Sequence, residues 1–287
     1  MIELAVRVGL GILAPAAVAL ALALLLHRGV KAAATDRYIL ATAGGVGFFF
    51  GYALMLLVPG FGQLMPASRW QWLPYIGLMS AVVGSLRPRG KLLWGLWCVL
   101  FAAAALLSCE KLAPRGEMLG LPRLASLAIL AALMLSLTLL LEILPARLCG
   151  ATLPAVLALV AAALMVTLLA AAVSARLAQL AGILFGVFAG CWLAALWCRL
   201  LPEAICGLIP PFVLLISGLA YVGCVDQDPP VLILLLLPAA PLAVWAAAAG
   251  PLAKLTGRAA IICQLALVAI PLAIIAAVAF FTAPPAW

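Results

Sequence analysis

The chain has 287 residues, 69% of them hydrophobic and 8% charged, with a formal net charge of +8 at pH 7. An ordinary soluble domain is about 25% charged, and surface-to-volume scaling gives a soluble fold of this length no way to bury so much apolar side chain. A water-soluble domain is therefore excluded, and the absence of Asn excludes N-linked glycosylation.

A bilayer core about 30 Å thick takes about 20 apolar residues per helix. Cutting the sequence at charges and turn residues predicts ten spans, at 4–26, 38–58, 72–86, 92–109, 123–145, 152–174, 177–199, 204–223, 231–249 and 259–282. Long unbroken apolar runs, not alternation, select an all-α polytopic membrane bundle over a barrel. The first segment carries Glu3 beside a single Arg7. Its apolar run exceeds the roughly 7–15 residues of a signal-peptide core, so it reads as a retained membrane helix. His27 ends that helix beside Arg28 as an interfacial residue.

The second span places Ala43, Gly47 and Gly51 on one face, while Gly44 and Gly45 weaken it by about 1 kcal/mol each. Close packing is the favoured reading and a hinge or path-lining helix the other. The third span is short unless it takes in Pro66–Gln71. The fifth ends in LLLEILPARL, where Glu142 is the one carboxylate surrounded by apolar residues. An ionisable group in a membrane is a functional candidate by default, but Glu142 lies about one turn from the interface. It is expected to snorkel or to pair with Arg147.

In the seventh span Gly182, Gly186 and Gly190 recur every four residues, extended by Ala178, Ala194 and Cys198. Such a ridge lets helix backbones approach closely in lipid. Its partner is an internal helix, a second copy or another membrane protein. Prolines interrupt the last three spans: Pro210 and Pro211, Pro238 and Pro241, then Pro271. Interior prolines kink helices and free carbonyls, which transporters expose to substrates. A solute path is expected along Glu142, Gln179, Ser217 and Gln264, with Pro210 and Pro238 as its breaks. The stretch CVDQDPP, holding Asp226 and Asp228, reads as a turn between the eighth and ninth spans.

With ten spans, ten basic residues fall on one side and six on the other, which predicts both termini outside a cytoplasmic membrane. The basic excess reads as topology and lipid contact, not nucleic-acid binding. Trp70 and Trp72 mark one interface, and Trp94, Trp97, Trp197 and Trp245 the other. Ala and Leu bias, twelve Arg against four Lys and no Asn suggest a GC-rich bacterial genome. The chain forms a single membrane domain, 1–287, divisible near residue 150 into halves of five helices without a convincing repeat.

Catalytic, metal and cofactor patterns are missing. The eight Cys show no C-x-x-C pair, the single His allows no bis-His haem, and no nucleophile–base motif is present. An enzyme is not expected. The function expected is a permease-like carrier of a small neutral or lipophilic solute without strong ion coupling. The alternative is a non-catalytic structural subunit of a larger membrane complex.

Overall fold

A computed structural model describes residues 9–29, 36–58, 61, 63–86, 90–113, 122–148, 152–170, 173–226, 232–249 and 257–282. The chain is an all-α polytopic membrane protein, and the described residues form ten helices in the predicted order. They are α1 (Gly9–Gly29), α2 (Tyr38–Met55), α3 (Leu73–Ser85), α4 (Lys91–Leu112) and α5 (Arg123–Ile143). Then come α6 (Thr152–Ala170), α7 (Ala175–Trp197), α8 (Pro202–Val225), α9 (Leu232–Val244 with Trp245–Ala249) and α10 (Gly257–Thr282). Eight are long and apolar enough to cross a membrane; α3 and α9 are the shorter two. Residues 1–8 and 283–287 lie outside the described residues, as do Asp228, Pro229 and Pro230.

Two departures from α geometry let the short helices cover the distance. A 3₁₀ turn, Arg69–Trp72, precedes α3. At about 2.0 Å per residue it adds about 8 Å to the roughly 20 Å of α3, close to a bilayer core. Gln71 fixes this turn, its Oε1 accepting from the backbone N–H of Ala67 at 2.7 Å and Ser68 at 2.9 Å. In α9 the stretch Leu232–Val244 winds as 3₁₀ helix around Pro238 and Pro241. Each proline removes a donor and would clash with an α-helical carbonyl four residues back. The looser rise takes α9 to about 33 Å, against about 27 Å as pure α-helix.

The sequence placed Pro210 and Pro211 as interior kinks. The structure instead breaks α8 at Gly207–Leu208, and both prolines stand in the first turn of the resumed helix Ile209–Val225. There the missing N–H has no helical partner to lose.

Helix α8 is the hub, packing on α2, α3, α4, α5, α6, α7 and α9. Over its most apolar 18 residues it is 89% buried, against 22% for the same length of α1 and of α10. Small residues bring backbones together where helices cross. A Cβ on Gly45 would press on the Gly77 carbonyl and stand 2.8 Å from Ala81 Cβ, so α2 and α3 touch there. Positions Gly47 and Gly51 face α1 and α7, with Ala19 Cβ at 3.3 Å and Ile183 Cγ2 at 2.6 Å from the corresponding Cβ.

The Gly182–Gly186–Gly190 face, offered by the sequence to an internal helix, a second copy or another protein, is filled by α1. The Ile12 carbonyl lies on Gly186 and the Ala16 carbonyl on Gly190. That ridge is an internal seam.

Candidate functional site

Three places in the bundle concentrate polar groups or empty space. The first is a crevice of about 350 Å3 halfway along α5, α8 and α9. Its walls are Leu130, Leu133, Met134, Leu137 and Leu140 of α5, with Leu235, Leu236, Pro238 and Leu242 of α9. Ser136 of α5 and Ser217 of α8 add two hydroxyls. Leu133, Leu140 and Leu236 are exposed, so the crevice opens sideways towards lipid.

Two properties mark this crevice. From Ile209 to Cys224 every residue of the central helix is buried except Ser217, so within that stretch α8 meets the surroundings only there. The hydroxyls of Ser80, Ser85, Ser108, Ser126, Thr138 and Thr167 all donate to carbonyls three or four residues back. That is the usual way for a helix to absorb such a group. Ser136 and Ser217 make no such bond. On the opposite wall the 3₁₀ register of α9 would pair the N–H of residue 238 with Leu235 O and that of 241 with Pro238 O. Proline supplies neither N–H, which leaves two crevice-lining residues with carbonyls short of a donor.

The second place is a buried ion pair at one end of the bundle. Arg37, at the start of α2, sends Nη1 to Glu142 Oε2 at 2.9 Å and Nη2 to Glu142 Oε1. The Arg37 side chain is 7% exposed and that of Glu142 6%. Nη2 also donates to Cys206 O at 3.3 Å, and Cys206 Sγ donates to Glu142 O at 3.6 Å. Trp97 of α4 lies under the guanidinium, 5.8 Å from Arg37 Cζ to its ring centroid, and its Nε1 donates to Val83 O at 3.1 Å. Gly207 makes room for this, because a Cβ there would stand 2.8 Å from the Arg37 carbonyl carbon. One fork of bonds therefore ties α2, α4, α5 and the break in α8.

This corrects the expectation for Glu142. Its side chain is buried rather than snorkelling and pairs with Arg37 from 105 positions away, and the side chain of Arg147 lies outside the described residues. Sequence reading counted Arg37 only as a loop charge. The available signal was that Arg37 immediately precedes an apolar run, where an unpaired guanidinium would be costly.

The third place is at the opposite end. Arg69 Nη2 donates to Asp226 Oδ1 at 2.8 Å, joining the start of α3 to the end of α8. Partial burial raises the Asp226 carboxyl above its ordinary range, and the Arg69 charge opposes that rise. Beside this pair a vestibule of about 850 Å3 opens between α3, α4 and α5.

Of the residues expected to line a path, Ser217 and Pro238 meet in the crevice, and Glu142, Gln179, Gln264 and Pro210 do not. Pro210 is buried near the Arg37 end. Gln179 is half-buried on α7, and Gln264 is buried on α10 with its Oε1 unbonded. Ser136 was missed, since one serine in an Ala/Leu helix carries no signal until its neighbours are known. Among the described residues no group of three His, Cys, Asp or Glu could hold a metal ion. Compared with known proteins, the chain matches no family model, no curated protein and no solved structure.

Proposed function

We propose that this protein is a permease-like carrier of a small neutral or lipophilic solute, taken up through the crevice between α5, α8 and α9. The observation that carries this reading is Ser217, the single opening in the burial of the hub helix between Ile209 and Cys224, facing an apolar space of about 350 Å3. That volume is at the small end of ligand pockets, about 300–1,000 Å3, and the mixture of apolar walls with few polar groups is typical of them. Unbonded hydroxyls and donor-poor carbonyls would orient a solute bearing one alcohol or amide group. Glu142 is already neutralised by a two-pronged arginine, which leaves no free intramembrane carboxylate there to bind a passing cation. That supports transport without strong ion coupling. The basic-residue asymmetry supports a cytoplasmic membrane with the Arg37 end inside.

An apolar diazirine probe dissolved in the membrane should label Leu133, Leu137 and Leu236 on illumination. Members of a neutral-solute panel should compete with that labelling. Labelling that no solute reduces would remove the support for a carrier. A constant second protein in the gently extracted native particle would move the reading to a structural subunit.

A further inference from the structure

The vestibule of about 850 Å3 has no part in the crevice and is built differently. Arg69, Lys111 and Arg123 supply three positive charges to its wall and Glu110 one negative charge. Among the described residues Asp226 pairs only with Arg69, through Nη2, and Arg69 Nη1 is covered and has no acceptor. Lys111 Nζ stands 5.0 Å from the centroid of the Trp72 ring, a cation–π contact that fixes both groups without using up the positive charge. Among the described residues no carboxylate pairs with Lys111 or Arg123. The three cations sit at the start of α3, the end of α4 and the start of α5, the level of lipid headgroups for a bundle this long. An aromatic face beside converging cations suits an anion with an apolar extension, and a guanidinium presents a planar fork to phosphate oxygens.

We propose that this vestibule is a binding site for a phosphate group, as a phosphomonoester or phosphodiester. Arg69, Lys111 and Arg123 hold the oxygens, and Trp72 packs on what the phosphate carries. A phospholipid headgroup and a phosphate dissolved in water share this chemistry.

The test uses the full chain in nanodiscs of a phosphate-free galactolipid, so that the host lipid does not itself carry the proposed ligand. In one arm phosphatidylglycerol replaces a fraction of the lipid; in the other inorganic phosphate is titrated in the aqueous phase. Thermal midpoint is followed in both. A ligand that binds only the folded state raises that midpoint with concentration. The Lys111→Gln/Arg123→Gln pair should weaken the response roughly 30-fold, taking about 1 kcal/mol per cation near a charged surface. Arg176→Gln, an exposed cation outside the vestibule, should leave it unchanged. A shift from phosphatidylglycerol alone assigns a lipid headgroup, and a shift from both assigns a soluble phosphate. No shift in either arm, or an equal shift in the double variant, overturns the site. If the double variant does not fold, Lys111→Gln alone is read the same way, with roughly fivefold weakening expected.

Discussion

Replacing Gly186 by Ala tests the seam between α1 and α7. The added Cβ would stand 3.1 Å from the Ile12 carbonyl carbon and closer still to its oxygen, which is backbone and cannot swing aside. Restoring ordinary contact requires the helices to part by roughly 1 Å, the scale of strain that costs about 1–3 kcal/mol in a packed interior. A gap of about 0.5–1 Å also forfeits a quarter to a half of each dispersion contact along the seam. Better helix propensity of Ala over Gly returns at most about 1 kcal/mol. Gly190→Ala meets the Ala16 carbonyl in the same way. The double variant should cost less than the sum of the two, because one displacement relieves both clashes. The control is Gly95→Ala on α4, where nothing lies within 4 Å of the new Cβ and stability should hold or rise slightly. Unfolding by SDS in mixed micelles, followed by circular dichroism, gives the free energies. If Gly186→Ala and Gly190→Ala unfold with the wild type and Gly95→Ala, the seam is not where the structure puts it.

Glu142→Gln leaves the Arg37 charge buried without a counter-charge, and about 3–5 kcal/mol of stability should be lost. Arg37→Met/Glu142→Leu should recover most of that loss in the same titration, since the cost lies in the unpaired charge. Arg199 closes α7 in a left-handed conformation, φ 49°, while Leu200 N–H reaches back to Ala195 O at 3.1 Å. Glycine adopts that conformation without strain, so Arg199→Gly should stabilise the protein by about 1 kcal/mol in thermal denaturation. The raised Asp226 carboxyl means that the folded state holds this proton more tightly than the unfolded chain does. Its contribution is fully present below the ordinary value of about 3.9 and is lost as pH rises through the raised value. Asp226→Asn should therefore flatten the fall of the midpoint over that window, and an unchanged pH profile would show that Asp226 is not the group responsible.

The fold was largely legible in the sequence because lipid imposes one rule, a run of apolar residues long enough to cross, on every helix. All ten appear as helices with ends shifted by a few residues, eight of them long and apolar enough to cross a membrane. What the rule cannot show is how a short run crosses, and the 3₁₀ stretches before α3 and through α9 answer that with added rise per residue. The glycine ridge was legible as a close contact but not as a contact with α1, because small residues state how near a neighbour comes and not which neighbour it is. The site was less legible. Ser217 and Pro238 could be named as polar or broken positions, yet their meeting with Ser136 depends on the relative rotation of α5, α8 and α9. The Arg37–Glu142 pair spans 105 positions, and the sequence offered Arg147 nearby as the simpler partner.

The most direct measurement is solute flux into liposomes holding the purified protein, wild type beside Ser217→Phe. Phenylalanine at that position projects a ring into the crevice and leaves the buried face of α8 unchanged. The carrier account predicts entry of at least one small neutral solute above protein-free liposomes, with that flux lost in Ser217→Phe at unchanged helicity and midpoint. Equal flux through both proteins, or none through the wild type while a control permease works, would contradict it.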